Sequence, residues 1–247
     1  MSAPSPNSEA PGDLRIWDVP LRLFHWLLVA AIALAFLSSG EDSALGQWHV
    51  LAGWLAGILI VFRIVWGFVG GEHSRFSDFV RPSGLAHHVR ELMGGRPQPS
   101  LGHNALGALS VLLLLGLVAA TVWTGVTLMG ALHELIAWSL LGLVAIHVLA
   151  VFVMSILTRE NLVRAMVTGK KPAMRHPGAS NARRPRLVAF VIVLLVLAAA
   201  VFAVIRYDPE AFTLRSAEAY EHRGQVGGGA ARDQETEAER TGRPDRD

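Results

Sequence analysis

An all-α membrane protein is predicted by two features of the 247-residue sequence, its apolar balance and five apolar runs of membrane-crossing length. Hydrophobic residues make up 52% of the chain and charged residues 17%, and the mean hydropathy is +0.40. That balance is too apolar for a soluble domain of this size. A bilayer core needs about 20 apolar residues per helix. Runs of that kind fall at about residues 21–38, 48–69, 106–128, 132–157 and 187–205.

Each run carries its own signals. The first has Asp18 in position to cap it and Pro20 in its first turn, where the missing N–H has no partner to lose. The second and third are flanked by Gly-rich connections, and the fourth contains only a few polar residues. The fifth has no polar side chain at all. Lys and Arg fix the expected orientation. Arg15 and Arg22 flank the first run. Arg75, Arg81, Arg90 and Arg96 follow the second, with Arg63 just inside its end, and Arg159, Arg164, Lys170, Lys171, Arg175, Arg183, Arg184 and Arg186 follow the fourth. Connections 39–47 and 129–131 have neither residue type. The expected topology is a multi-pass protein of a bacterial inner membrane, with a cytoplasmic N-terminus and a periplasmic tail.

Residues 1–13, rich in Pro, Ser and Ala, read as a disordered leader without the basic segment of a cleavable signal peptide. A short amphipathic helix is expected near 85–93, in the long connection 70–104. Residues 172–186 read as a basic linker, 187–206 as the fifth helix, and 207–247 as a mostly disordered acidic tail. Beyond Tyr207 the tail carries ten acidic residues against six Arg, and a short helix near 209–222 is compatible with its pattern.

Cysteine is absent, which excludes disulfides, thiolate metal sites, iron–sulfur clusters and covalent haem attachment. The chemistry therefore falls to the ten histidines. At about 100° per residue, the steps from His133 to His147 end within roughly 40° of whole turns, so both imidazoles leave one helix face. Their Cα atoms are then about 21 Å apart along the axis. On this helix alone, two unrelated polar residues explain the pattern as well as a cofactor does.

The expected topology gives each a partner at its own depth. His25 lies two turns into the first helix, on the side of His147. His49 opens the second helix on the side of His133. Four histidines on three helices thus form two level pairs, the arrangement that axial ligation of two haems requires. Intramembrane ionisable groups are costly and mark function by default. Gly53 and Gly57, four and eight residues after His49, leave room for a flat ring, as do Gly142 and Ala145. Close helix packing is the competing account of these small residues. His103 reads as a cap or interface residue, or as a group near haem propionates or quinone. His73, His87, His88, His176 and His222 read as solvated. Arg22, Arg63 and Arg159 lie at the level of inner haem propionates, although topology and headgroup contact explain them equally. Glu134, next to His133, either caps a turn or touches the outer site. No catalytic residue and no nucleic-acid partner is assigned.

Several motifs together carry a family likeness. They are Ile16-Trp17-Asp18-Val19-Pro20-Leu21-Arg22-Leu23-Phe24-His25-Trp26, Arg63-Ile64-Val65-Trp66-Gly67-Phe68-Val69-Gly70, Arg75-Phe76-Ser77-Asp78-Phe79, Leu101-Gly102-His103-Asn104, Leu132-His133-Glu134 and Arg159-Glu160-Asn161-Leu162-Val163-Arg164-Ala165-Met166. In this order they resemble the bacterial cytochrome b-561 family, which includes the b-type cytochrome subunits of nickel–iron hydrogenases. The resemblance covers about residues 14–171. It implies a four-helix transmembrane dihaem bundle plus, in this chain, a fifth C-terminal transmembrane helix outside the family pattern. It also implies two haem b groups, an inner one on His25 and His147 and an outer one on His49 and His133. The implied activity is electron transfer across the inner membrane between the quinone pool and a periplasmic or membrane redox protein, with quinone a candidate ligand. A membrane-anchoring subunit of a hydrogenase-like or other periplasmic oxidoreductase is the alternative.

Overall fold

The computed structural model describes residues 12–40, 43–79, 100–102, 105–215 and 220. The expected helix at 85–93 and His87, His88, His103 and His222 lie outside the described residues, as do residues 1–11 and most of the tail. Five long helices follow one another: α1 (Val19–Leu37), α2 (His49–Val69), α3 (Ala105–Val126), α4 (Gly130–Thr158) and α5 (Leu187–Tyr207). All five are long and apolar enough to cross a membrane. The chain is a multi-pass all-α membrane protein. Many of its large apolar side chains are exposed, including Leu135, Ile146 and Ile156, as expected of surfaces that meet lipid.

Helix α2 is the axis of the bundle. It packs against α1, α3 and α5, while α4 packs mainly on α3. One buried cluster joins Leu21 and Phe24 of α1, Trp66 of α2, and Ala189 and Val193 of α5. A second joins Ala31, Ala56, Ile60, Val118 and Leu140 from the first four helices. Antiparallel crossings put all eight Lys and Arg of the stretch after α4 on one face, with Arg15 and Arg22; this is the basic face.

The basic face is tied together by one carboxylate. Asp18 caps α1 by accepting from the Leu21 amide at 2.8 Å. It also accepts from Trp66 Nε1 at 3.1 Å, from Ser74 Oγ at 2.7 Å and from the Gly71 amide at 3.2 Å. The start of α1, the end of α2 and the turn that follows are therefore locked to a single side chain. Glycine is required here by close approach. A Cβ at Gly71 would lie 2.5 Å from Asp18 Oδ2, and one at Gly67 would enter the Phe76 ring. Phe76 in turn lies against the buried Arg63 guanidinium, 4.7 Å from the ring centre, a contact worth about 2 kcal/mol where water is excluded.

After α4, the chain turns through Arg159 (φ 54°) into a short helix, Leu162–Thr168, capped by Asn161 and ended by Gly169 at φ 77°. The Gly169 carbonyl accepts from the Ile16 and Trp17 amides at 2.8 and 3.1 Å. Strand β1 (Asp13–Arg15) pairs antiparallel with β2 (Lys170–Pro172), Leu14 opposite Lys171. This strand pair was not expected from sequence; three residues are too few for a period-2 pattern to show. Below it, Glu160 is buried between Lys171 Nζ at 3.2 Å and His176 Nε2 at 2.8 Å. Burial holds the Lys171 ammonium below its ordinary pKa, and Glu160 opposes that shift. On the other face, Asp208 accepts from Trp54 Nε1 at 3.0 Å and pairs with Arg215, whose amide donates to the Gln47 carbonyl at 3.0 Å. The beginning of the tail is thereby folded back over the start of α2.

Two outcomes are expected in unfolding of the detergent-solubilised protein. Asp18→Ala removes a cap worth about 1 kcal/mol and strands buried donors at about 1–3 kcal/mol, so it lowers the unfolding midpoint; Asp18→Asn, which still accepts, recovers part of the loss. Glu160→Gln leaves Lys171 buried without its counter-charge, at a cost of about 3 kcal/mol, and the apolar pair Glu160→Leu with Lys171→Met restores most of it. An unchanged midpoint in Asp18→Ala or Glu160→Gln would sink the corresponding assignment.

Candidate functional site

The four intramembrane histidines are all half-buried, and the helices bring them together in two places. Near the face opposite the basic one, the His49 and His133 rings have centres 6.0 Å apart at an interplanar angle of 80°. His49 is the first residue of α2, and His133 sits in the first turn of α4. His49 Nδ1 lies 2.9 Å from the Ala35 carbonyl of α1, and His133 Nδ1 lies 2.9 Å from the Thr121 carbonyl of α3. A carbonyl only accepts, so the neutral form of each ring carries its proton on Nδ1 and leaves Nε2 with a lone pair. That is the tautomer of a metal-ligating imidazole, oriented through its other nitrogen. Gly125 admits the His133 ring, since a Cβ there would lie 3.1 Å from its Cε1.

The second pair lies nearer the basic face. His147 Nδ1 is hydrogen-bonded to Ser110 Oγ of α3 at 3.1 Å. His25 is within electrostatic range of His147 and stands edge-on to Trp26. Its Nδ1 is buried and has no hydrogen-bond partner among the described residues. Burying such a nitrogen unsatisfied costs about 1–3 kcal/mol. Between the two levels lies the apolar cluster of Ala31, Ala56, Ile60, Val118 and Leu140.

This donor set fits a haem better than a bare ion. Among the described residues, no three His, Asp or Glu side chains converge as a metal cluster would require. A haem needs only two protein donors. His49 and His133, with ring centres 6.0 Å apart, are placed to supply such a pair. The small residues divide between the two accounts. A Cβ at Gly57 would press on Val122 of α3 at 3.3 Å, so Gly57 serves helix packing; Gly53 and Gly142 meet nothing within 4 Å.

The expected propionate cations take different places. Arg22 donates to the Val167 carbonyl, Arg63 lies against Phe76, and Arg159 ends α4. His73 pairs with Asp78 at 2.8 Å and His176 with Glu160, so both are bound within the basic face rather than solvated as the sequence suggested. Glu134 is exposed. Sequence reasoning missed Ser110, Gly125 and the Ala35 and Thr121 carbonyls. Ser110 had a signal, as a lone hydroxyl in the first half of an apolar helix; the carbonyls had none, because backbone groups carry no residue identity.

Comparison with known proteins agrees with this chemistry. The family described as prokaryotic cytochrome b561 matches residues 16–169. A probable Ni/Fe-hydrogenase B-type cytochrome subunit of Rhizobium leguminosarum bv. viciae is 21% identical over 210 residues, covering 63% of this chain and 87% of the relative. One from Azotobacter vinelandii is 25% identical over 208 residues, covering 62% and 86%. A probable Ni/Fe-hydrogenase 1 B-type cytochrome subunit of Escherichia coli is 26% identical over 117 residues, covering 37% and 49%. No solved structure matches significantly. With the family pattern spanning α1 to α4 and paired imidazoles inside the bundle, this chain belongs to the prokaryotic cytochrome b561 family and is a haem-binding, electron-transferring b-type cytochrome of the membrane.

Proposed function

We propose that the chain is a dihaem b-type cytochrome, with one haem b held by His25 and His147 near the basic face and another by His49 and His133 near the opposite face. It carries electrons across the bacterial inner membrane between the quinone pool and a redox protein. The basic face is cytoplasmic by the distribution of Lys and Arg, and the tail is periplasmic. The observation that carries the reading is the His49–His133 pair, 6.0 Å apart, with both Nδ1 atoms committed to backbone carbonyls.

Haem b supplies a one-electron couple when bound; everything else is done by the chain. The Ala35 and Thr121 carbonyls hold the two outer imidazoles in the ligating tautomer, and Ser110 orients His147. The apolar layer around Ala56 and Leu140 keeps water from passing between the levels. Along α4 the two levels lie about 21 Å apart, so they serve opposite leaflets.

A second reading is supported by the names of the relatives and by the folded tail. As a membrane-anchoring subunit of a periplasmic oxidoreductase of hydrogenase type, the chain would present the tail beyond Arg215 to a partner, with the buried Asp208–Arg215 pair fixing where that tail starts. Removing the segment after Arg215 is then expected to abolish co-purification with that partner while leaving haem content unchanged.

Pyridine haemochrome assay of the purified chain is expected to give about two haems per chain. His147→Ala and His49→Ala are each expected to lower this by about half, removing different components of the redox-titrated spectrum. Loss of the same component in both would refute the pairing, and haem retained after all four histidines are replaced would refute ligation altogether. Gly125→Ala pushes its Cβ onto the His133 ring; it is expected to perturb only the component lost in His49→Ala.

A further inference from the structure

A cleft of about 460 Å³ opens on the basic face where β1, the start of α1, Gly169 and the start of α5 meet. None of the four intramembrane histidines lines it, so it is separate from the candidate haem sites. Five cationic side chains do: Arg15, Arg22, Lys170, Arg183 and Arg184. Two carboxylates share the lining, but both are engaged by the protein itself. Asp18 accepts from Leu21, Trp66, Gly71 and Ser74, and Glu72 accepts from the Arg183 amide at 2.9 Å. Five cations against two carboxylates leave the lining net positive by three.

Three further observations give the cleft a ligand class. Arg22 reaches the Val167 carbonyl with one terminal nitrogen, while its Nε is buried with no hydrogen-bond partner among the described residues. The N-termini of α1 and α5 both border the cleft, adding their partial positive charge. Its other wall is apolar, with Trp17, Val19 and Phe190 continuing onto the exposed flanks of α1 and α5 at Leu23 and Leu187. A ring of cations above an apolar groove, at the level where two membrane helices begin, suits an anionic group attached to a chain.

We infer that this cleft binds a phosphate group, as carried by an anionic phospholipid headgroup or by free phosphate. Its lining comes from both the four-helix family core and the residues leading into α5. Occupancy therefore clamps the additional helix to the core.

The test uses the full-length, haem-loaded protein in detergent, titrated with phosphatidylglycerol, phosphatidylcholine or inorganic phosphate, and reads the thermal unfolding midpoint. Phosphatidylglycerol is expected to raise it at lower concentration than phosphatidylcholine. Arg15→Gln and Arg184→Gln are each expected to weaken the effect about fivefold. Arg184→Lys retains it, as does Arg164→Gln, an exposed charge outside the cleft. Both side chains replaced in the cleft are exposed, and the contacts made there by residues 15 and 183 through the backbone remain. A response to phosphatidylglycerol alone assigns the site to lipid; an equal response to inorganic phosphate assigns it to the phosphate group from any source. The proposal is overturned if neither anion shifts the midpoint, or if Arg164→Gln weakens the response as much as Arg184→Gln.

Discussion

The Asp18 carboxylate is the interaction on which the rest of the structure depends. One acidic side chain takes four donors from α1, α2 and the turn after α2. In a bundle whose helices meet lipid on most of their surface, the hydrophobic effect gives little help in choosing how far one helix slides along another. Directional contacts at the helix ends have to set that register. Asp18 sets it for α1 against α2, and with it the depth of His25, seven residues on. The half-buried carboxylate keeps its oxygens paired, because it accepts from four N–H and O–H donors of the bundle.

Each of the other helix levels is fixed by comparable means at one end. The Gly169 carbonyl receives the Ile16 and Trp17 amides, joining the region after α4 to the region before α1. On the opposite face, Asp208 holds Trp54 and Arg215, and Tyr207 reaches the Val126 carbonyl at 3.4 Å. Polar knots at both faces thus bracket a bundle whose middle is apolar. In that middle, Ala31 and Ala56 allow close approach while Ile60, Val118 and Leu140 fill the space.

Five apolar runs, the Asp18 cap and the four histidines were legible in the sequence, because length, capping and depth are properties that local pattern carries. The motif residues Trp66, Gly67, Gly70 and Phe76 were legible only as a likeness. Their physical role, packing ring against glycine and indole against carboxylate on the basic face, needs contacts between residues far apart in the chain. Residues 172–186 read as a linker, yet Asn181 accepts from the Arg15 amide at 2.8 Å and the Ala182 amide donates to the Arg15 carbonyl. No periodicity announces such contacts, since they depend on where the N-terminal segment lies. The histidine anchors escaped for the same reason, as a backbone carbonyl in α1 or α3 has no signature.

What separates the two histidine levels bears on what passes between them. From Trp26 to Leu34, Val50 to Phe62, Val111 to Ala120 and Leu135 to Ile146, no residue is ionisable, and α5 has none from Val188 to Ile205. Among these stretches Ser139 is the only hydroxyl, and it donates to the Leu135 carbonyl of its own helix. A proton has no side chain to use in crossing this layer, which argues against a histidine proton relay and for electrons alone. An electron moved from one level to the other, as proposed, is therefore uncompensated inside the protein. Such a transfer works with or against the membrane potential, at about 2.3 kcal/mol per 100 mV for a full crossing. On the proposed dihaem reading, this apolar layer makes the direction of electron flow answerable to the voltage across the membrane.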